Sequence, residues 1–485
     1  MSLPDPSAVS DLRTLAAELT KLRTRAARGS SRRSVSIADL ARTLGPHMSR
    51  STLHSYVSGR TLPPAEILDR IVIALGAGPD EQAAWSEAWD RVYDNRQPHP
   101  PRTAPPMSAE EVLATLHERV ASQRSKPLDV VTVSAQNMDA VYRVSAIAAD
   151  YESQISEPTL GCGGSGANTA YALARLDHRV SVVGIVGADA YGRQLRADLE
   201  SVGADTSMLV TAEASAGSSG HTLVFTDREG RRLIYVNPGV NEKLVETLTQ
   251  NEGIDSVIAL VNDARVIHLS SFTGFRERQL QEELVERLDP NVILSLNPGA
   301  IYAGLGANRI AKLLSRANVI FMYEQQLERL LEHSSSRSRY GNARISDSLA
   351  ALFEWRGQRG SDQPLVLVIK RPADLHRGTR DAYLSVAYGV TDMTDLGGPD
   401  VRPVQRDVLD STGAGDSLAA GFLSAILTGR TPRECENLAY IMALSASMGL
   451  GARAALPTRN ELVDCWRTHL PDVPTPRWLT KGLPA

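Results

Sequence analysis

Short apolar runs alternate with amphipathic helical stretches over most of the chain. The runs LDVVTV, VSVVGIVG, VIHLSS, NVILSL, NVIFM and LVLVI all lie between residues 128 and 369. Strands that alternate with helical patterns predict a mostly parallel sheet covered by helices. The segments HTLVFTD and RRLIYVN, which are joined through Arg228, Glu229 and Gly230, predict a hairpin within this sheet.

The first 94 residues follow a different pattern, with about five helical periods and no strand-like run. The next segment, NRQPHPPRTAPPMS at 95–108, is rich in proline, which lacks a backbone donor and disfavours helix in its neighbours. We therefore predict an all-α domain over 1–94, a proline-rich linker with a short helix at 110–122 over 95–127, and an α/β domain over 128–475.

Composition narrows the class of protein. The chain has 485 residues, which exceeds the usual size of one hydrophobic core, so we expect at least two domains. Its three cysteines, Cys162, Cys435 and Cys465, are too few and too widely spaced for a disulfide framework or a C-x-x-C metal site. No apolar run is long enough to cross a bilayer. These features predict a soluble, cytoplasmic protein with no membrane partner.

The charge of the chain is unevenly distributed. The formal net charge is only −4, yet residues 13–60 carry ten Lys or Arg residues and only two acidic ones. A basic segment is typical of proteins that bind polyanions, although a solvated helix face has the same composition.

Two short helices are predicted within this basic segment. Ser36 can cap the first, and Gly45 and Pro46 end it; the second begins near Ser49 and is polar and basic. Two short helices joined by a tight turn are the geometry that places a recognition helix in the major groove of DNA. Farther along, Trp85 and Trp89 are four residues apart on a helix, so we expect them in the core of this domain.

The stretch 11–94 resembles the Cro/repressor-type (XRE) family of helix-turn-helix domains. The resemblance rests on Ser49, Ser51, Thr52, Leu53, Ser58, Gly59, Arg60 and Pro63. It implies a homodimer that binds double-stranded DNA through Arg50, Ser51, Thr52, His54, Ser55 and Arg60. A helical interaction domain with no role in DNA binding is the alternative.

Two glycine-rich stretches could approach a phosphate or a polyol. GCGGSG at 161–166 formally fits the dinucleotide fingerprint G-x-G-x-x-G, but ISEPTL before it is a poor strand, which argues against a dinucleotide fold. The chain contains no G-x-x-x-x-G-K-[ST] motif, so a P-loop is not expected.

The second stretch, DSTGAGD at 410–416, precedes an apolar helix. The backbone N–H groups of Gly413, Ala414 and Gly415 can form an anion-binding nest at the start of that helix. Asp416 then lies where a general base could take the proton of a hydroxyl that attacks a phosphoryl group. Upstream, Asp139 ends the segment SAQNMD and could accept two hydrogen bonds from a vicinal diol.

Together these motifs resemble the ribokinase-like (PfkB) family of carbohydrate and nucleoside kinases over roughly 128–470. The family's D-T-x-G-A-G-D signature is present with Ser411 at its second position, and Gly163, Gly164, Asn168, Gly184, Gly187, Asp189 and Gly192 match its N-terminal signature. The resemblance implies an α/β fold with a small β lid, and ATP with Mg²⁺ as cofactors of an active kinase. It assigns Asp416 as the base, Gly413, Ala414 and Gly415 as the anion hole, a monovalent cation near Asp410, and a substrate site at Asp139, Asn137, Gly163, Gly164 and Asn168.

The sequence departs from the family pattern on the nucleotide side. Tyr323 and Gln326 stand where the family usually has N-x-x-E, and Lys370, Arg371 and Pro372 replace a threonine and glycine pattern. We therefore assign no metal ligand from the sequence.

Three functions are compatible with these motifs. The first is a transcription regulator whose kinase-like domain binds, and can phosphorylate, a sugar, nucleoside or nucleotide. The second is an active ATP-dependent sugar or nucleoside kinase with an accessory DNA-binding domain. The third is a scaffold that uses the helical module to bind protein.

Overall fold

The computed structural model describes residues 3–28, 33–45, 48–96, 106–147, 155, 157–227, 232–251, 253–332, 345–370, 384–398 and 410–480. In these ranges, no helix is both long and apolar enough to span a membrane. The three cysteines are free thiols.

The N-terminal module is helical throughout its described residues, as predicted. Ser36 and Ser49 cap the second and third helices by accepting hydrogen bonds from the backbone N–H groups of Asp39 and Thr52. Trp85 and Trp89 are buried in its core, as the sequence predicted. The α-helices are α1 (Leu12–Ala26), α2 (Ile37–Leu44), α3 (Arg50–Val57), α4 (Ala65–Ala74) and α5 (Pro79–Arg96).

The rest of the chain is an α/β domain, again as predicted. Its strands are β1 (Leu128–Val133), β2 (Asn137–Arg143), β3 (Thr159–Gly163), β4 (Val180–Val186), β5 (Leu209–Thr211), β6 (Gly220–Thr226), β7 (Arg232–Asn237), β8 (Ala264–Ser270), β9 (Ile293–Asn297), β10 (Val319–Tyr323), β11 (Leu365–Lys370), β12 (Leu384–Gly389) and β13 (Met393–Gly397).

The helices of this domain flank the strands. They are α6 (Ala109–Ser122), α7 (Ser165–Arg175), α8 (Ala190–Ser201), α9 (Leu244–Gln250), α10 (Gly253–Asn262), α11 (Phe275–Glu286), α12 (Gly299–Leu305), α13 (Ala311–Arg316), α14 (Glu324–Leu330), α15 (Ile345–Gln358), α16 (Ala414–Leu427), α17 (Pro432–Ser447), α18 (Leu462–His469) and α19 (Arg477–Thr480).

Nine of the described strands form the central sheet, in the order β13-β12-β11-β10-β9-β8-β1-β4-β5. The pairs from β5 to β11 are parallel, and the two pairs that β12 makes are antiparallel. Side chains alternate between the two faces of a strand. On β11, Val366 and Val368 join one buried cluster with α16 and α17, while Leu365, Leu367 and Ile369 join the cluster on the opposite face.

A second, smaller sheet has the order β3-β2-β6-β7 among the described residues and forms the lid. The predicted hairpin is present as antiparallel β6 and β7, but it belongs to this lid and not to the central sheet. The interpretation of ISEPTL as a poor strand was wrong at its last two residues, since Thr159 and Leu160 begin β3, which continues through Gly161 in antiparallel pairing with β2. The alternation of apolar and polar residues predicts that two neighbouring strands pair. The sheet to which they belong depends on contacts with residues distant in sequence.

Helix α6 packs into the core of the α/β domain through Val112, Leu113, Leu116 and Val120. Of the proline-rich stretch, residues 97–105 lie outside the described residues. The domain boundaries given above remain a proposal, and this packing places α6 with the α/β domain.

Candidate active site

The candidate site lies where the carboxyl ends of three parallel strands meet the start of α16. Asn297, Tyr323 and Lys370 are the last residues of β9, β10 and β11. Together with Gly415 of α16 they line one small cavity. Ligands of open α/β sheets bind at the carboxyl ends of the strands.

Helix α16 begins with the predicted glycine-rich stretch. Gly413 has φ +73°, the left-handed region, and a Cβ there would lie 2.5 Å from the Cβ of Ala452, so only glycine fits. Ala414 N–H already donates to Ser411 O at 3.3 Å. The first N–H groups of a helix have no partner within it, so this terminus can receive an anion.

Asp416 lies in the first turn of α16 and is held by three donors. Its Oδ1 accepts from Ser165 Oγ at 2.6 Å and from Asn297 Nδ2 at 3.5 Å, and its Oδ2 accepts from Asn168 Nδ2 at 2.9 Å. Burial raises the pKa of Asp416, while the hydrogen bonds from Ser165 and Asn168 and the charge of Lys370 oppose that rise. The carboxylate is therefore oriented and shielded, as a general base requires.

Asp139 faces the same site from strand β2 of the lid. A Cβ on Gly163 would lie 2.1 Å from Asp139 Oδ2, so this glycine makes room for the carboxylate. Burial raises the pKa of Asp139 to about 7; a hydrogen bond from Thr222 and the charge of Arg453 lower it, and the charges of Asp416 and Asp410 raise it further.

Arg453 was missed by sequence reasoning although the segment GARAALPT contains it. Its Nε donates to Asn168 Oδ1 at 2.9 Å, one guanidinium nitrogen donates to Gly163 O at 3.3 Å, and another pairs with Asp198. Arg453 thus fixes the amide that holds Asp416. Only the position of this arginine after the Gly451-Ala452 pair could have signalled it.

The other predicted substrate residues have structural contacts. Asn137 Oδ1 accepts from Asn241 Nδ2 at 3.0 Å, which ties the lid to the segment NPGVN. Gly164 has φ +95° and is the N-cap of α7. The Asp410 carboxylate accepts from Thr412 N at 2.9 Å and from Gly451 N at 2.9 Å, so it closes the turn before α16.

Residues 128–459 match the profile described as pfkB family carbohydrate kinase. The chain belongs to the PfkB family. Residues 14–85 match a helix-turn-helix domain profile.

Proteins similar to this PfkB protein include sugar kinases and nucleoside kinases. A protein named uncharacterized sugar kinase from Archaeoglobus fulgidus is 31% identical over 288 residues, which are 59% of this chain and 98% of that protein. The ATP-dependent ribose-1-phosphate kinase of Halopiger xanaduensis is 30% identical over 335 residues, 68% of this chain and 95% of its own length.

Solved structures show the same fold. The nucleoside kinase of Burkholderia thailandensis in complex with inosine superimposes with TM-score 0.54 at 17% identity, over 71% of this chain and 100% of that one. Ribokinase from Cryptococcus neoformans in complex with ADP gives TM-score 0.55 at 17% identity, over 70% and 99%.

The nucleotide side of this PfkB domain differs in its chemistry from the acceptor side. Gln326 accepts a hydrogen bond from Tyr323 N at 2.9 Å, so it caps α14 and does not point to a metal. The described lining of the cavity contains no carboxylate, and no group of three or more His, Cys, Asp or Glu among the described residues could hold a metal. Mg²⁺ prefers carboxylate and phosphate oxygens, so an ion bound directly by these side chains does not fit. Arg371 and Pro372 lie outside the described residues.

The predicted DNA-contacting side chains lie together on and after α3. Arg50, Ser51, Thr52, His54 and Arg60 are exposed, and Ser55 is half-buried, with its hydroxyl 2.9 Å from that of Thr61. Leu53 and Val57 of the same helix are buried in the module. One face of α3 is therefore free of the core, as a recognition helix requires.

A charged interface joins the helix-turn-helix module to the PfkB domain. Arg309 is 5% exposed and donates to Asp69 at 2.7 Å and to Ser86 at 2.8 Å, and Asn308 donates to Asp90 at 3.2 Å. Nearby, Arg278 pairs with Glu66 of α4. No motif in the sequence indicated this interface.

Proposed function

We propose that this protein is a DNA-binding transcription regulator whose PfkB domain binds a sugar, nucleoside or nucleotide and can phosphorylate it with ATP. The observation that carries the proposal is the position of Arg309. It lies in the 3-10 helix Ala307–Ile310, twelve residues after Asn297, which contacts Asp416. One short segment thus touches the acceptor site at its start and the DNA-binding module at its end.

This connection supports coupling between ligand and DNA. The pairs of the buried Arg309 and Arg278 with Asp69 and Glu66 hold the two domains together. A ligand that moves Asn297 would act on α12 and then on Arg309. The exposed residues of α3 take no part in the interface, so docking leaves them accessible to DNA. This route does not pass through the proline-rich linker. Helix α6, which follows the linker, packs on the opposite face of the central sheet from α11 and α12.

The chemistry of phosphoryl transfer follows from the acceptor side. The acceptor hydroxyl gives its proton to Asp416 while its oxygen forms a bond to the γ-phosphorus of ATP. The bond from that phosphorus to the bridging oxygen breaks, and ADP leaves with the electron pair. Asp139 would accept hydrogen bonds from neighbouring hydroxyls, and Gly413 and Gly415 would donate backbone N–H groups to the transferred oxygens. Mg²⁺ enters only as a companion of the nucleotide, and a monovalent cation near Asp410 stays a prediction.

The plain kinase with an accessory DNA-binding domain is the second candidate. The three donors that hold Asp416 favour it, because a site kept only for binding needs no oriented base. The names of the relatives suggest ribose, ribose 1-phosphate, fructose and nucleosides such as inosine as acceptors to try.

We also propose a homodimer, which a two-fold DNA site would match. Leu233, Ile234, Tyr235 and Val236 of the lid's edge strand β7 are 39–57% exposed, an apolar row that a second copy could cover. Sedimentation of the Tyr235→Asp variant, with the parent as reference, tests this point.

The test of function uses that acceptor panel with and without ATP. A ligand that binds the native state at about 100 times its Kd stabilises it by about 2.7 kcal/mol, so its melting temperature rises. The same mixtures are assayed for ADP release. Stabilisation by an acceptor and binding to duplexes enriched from a random pool support the regulator. Turnover without any DNA binding would favour the plain kinase. The absence of both ligand binding and DNA binding would refute both candidates.

A further inference from the structure

A row of three strand ends faces the N-terminus of α16. Asn297, Tyr323 and Lys370 each close a strand, and Tyr323 and Lys370 are paired in register on β10 and β11. Because side chains alternate along a strand, Lys370 shares its face with Val366 and Val368, which pack in the cluster that contains α16. Strand geometry therefore directs this ammonium group toward the nest.

Lys370 is 5% exposed and lines the same cavity as Gly415. Its Nζ lies 5.4 Å from the centre of the Tyr323 ring, which holds the ammonium from one side. The positive charge of Lys370 also acts on Asp416, because it lowers the pKa of that carboxyl. The cation therefore borders the cavity and lies near enough to Asp416 to act on its charge.

The cavity combines a buried cation with a helix N-terminus and, among its described lining residues, has no carboxylate. Both features favour a bound anion. Their contributions add, because the lysine charge and the helix-terminal N–H groups can act on the same phosphate. This donor set suits phosphate oxygens and does not suit a divalent metal.

We propose that Lys370 binds the phosphoryl group of the nucleoside triphosphate donor and supplies, from the chain itself, positive charge that a protein-bound metal would otherwise give. The inference rests on the proposed function. During transfer, the acceptor oxygen bonds to the γ-phosphorus, the bond to the bridging oxygen breaks, the diphosphate leaves with the electron pair, and Asp416 takes the proton. Lys370 takes no part in the proton transfer and offsets the charge on the phosphoryl oxygens.

The experiment measures binding and turnover separately in the full chain. Calorimetric titrations use ATP and inorganic tripolyphosphate, each in EDTA, on the parent and on Lys370→Met, Lys370→Gln and Lys370→Arg. Lys126→Met is the matched control: Lys126 is half-buried, donates to Ala264 O at 3.2 Å and lies at the opposite end of the central sheet. Circular dichroism checks that each variant is folded, and the second neutral variant guards against loss of the first.

We expect both neutral variants to bind ATP and tripolyphosphate about 10- to 100-fold more weakly, the range for loss of a hydrogen bond to a charged group. Lys370→Arg should stay within about fivefold of the parent, and Lys126→Met should equal it. Parental affinity in the neutral variants would overturn the inference, and so would a parent that binds neither anion in EDTA.

The two proposals fail in different ways. Binding that depends on Lys370 in a parent that phosphorylates no acceptor would leave this inference standing and remove turnover from the proposed function. Turnover and nucleotide affinity that are the same in Lys370→Met as in the parent would leave the kinase standing and remove Lys370.

Discussion

Two networks of charged and amide side chains lie at the two ends of one segment, residues 297–310. At its start, Asn297, Ser165 and Asn168 surround Asp416. At its end, Asn308 and Arg309 hold Asp69, Ser86 and Asp90 of the helix-turn-helix module. Apart from Asn297, the first network is built from motif residues, whereas the second is built from residues that belong to no motif.

The two networks differ in what their polar contacts hold in place. In the first network, three donors hold the carboxylate of Asp416 in the first turn of α16, as the proposed role of general base requires. The second network, with the neighbouring pair of Arg278 and Glu66, joins the two domains through two arginines that are 5–6% exposed, an arrangement suited to keep one orientation. Variants of each should affect one property and spare the other.

Asp416→Asn should have the largest effect. Turnover should fall by about 10²- to 10⁴-fold, because a positioned general base is lost while the amide keeps the shape of the carboxyl. Acceptor affinity, melting temperature and DNA binding should stay near those of the parent. The measurement is kcat by ADP release, and an unchanged kcat would remove Asp416 as the base.

Arg309→Met should separate the module from the PfkB domain. The variant loses the hydrogen bonds of a buried arginine to Asp69 and Ser86, while Asp69 is 31% exposed and can be hydrated, so we expect a cost of about 1 to 3 kcal/mol. In calorimetry we expect the module to melt earlier as its own transition, with kcat unchanged. Arg287→Met is the control, because Arg287 is an exposed arginine in surface ion pairs that should contribute little. A single unchanged transition in Arg309→Met would show that the interface does not hold the module.

Asp139 should make acceptor binding depend on pH. Its pKa of about 7 in the folded protein lies above the ordinary 3.8, so the folded state binds the extra proton. The stability this group contributes is present at low pH and is lost as pH rises from about 4 through 7. Acceptor affinity should rise over the upper part of that range, as the carboxylate forms.

The test compares titrations of an acceptor at pH 6 and pH 8. Asp139→Asn should bind about 10- to 100-fold more weakly at pH 8 and lose the pH dependence. Asp255→Asn, at a surface aspartate that is 84% exposed, should behave as the parent. An acceptor that binds equally at both pH values in the parent would contradict the role of Asp139.

Arg50→Ala should have the smallest effect. Loss of one phosphate contact should weaken binding to every duplex and flatten the salt dependence by about one unit of slope. Fluorescence anisotropy at several salt concentrations measures this. Arg467→Ala, at an exposed arginine of α18, is the matched control. Equal slopes in Arg50→Ala and the parent would place the DNA-binding surface elsewhere.

The sequence predicted the elements better than their assembly. Apolar runs such as LVLVI identify buried strands, and DSTGAGD identifies the start of α16, because both signals are local. The sheet to which β6 and β7 belong could not be predicted, since it depends on pairing with β2, about 80 residues earlier.

Single charged residues were the harder part of the site. In the sequence, Lys370 was only a departure from the family pattern, and Arg453 belonged to no signature motif. The positions of both side chains in the site depend on the tertiary packing of strands and loops. Asp69 and Arg309 are each typical of a solvated surface; they meet where the two domains dock, and Arg309 is buried there while Asp69 stays 31% exposed.

The most direct test of the proposed regulator is a measurement of reciprocal coupling between the acceptor site and the DNA-binding surface. An acceptor identified in the panel is titrated into the full chain with and without a saturating duplex enriched from a random pool, and the duplex is titrated with and without the acceptor. We predict that each ligand changes the affinity of the other by the same factor, in the range of about 5- to 150-fold, and that Arg309→Met reduces this factor toward one. Identical isotherms with and without the duplex would contradict the account, and the protein would then be a kinase merely tethered to a DNA-binding module.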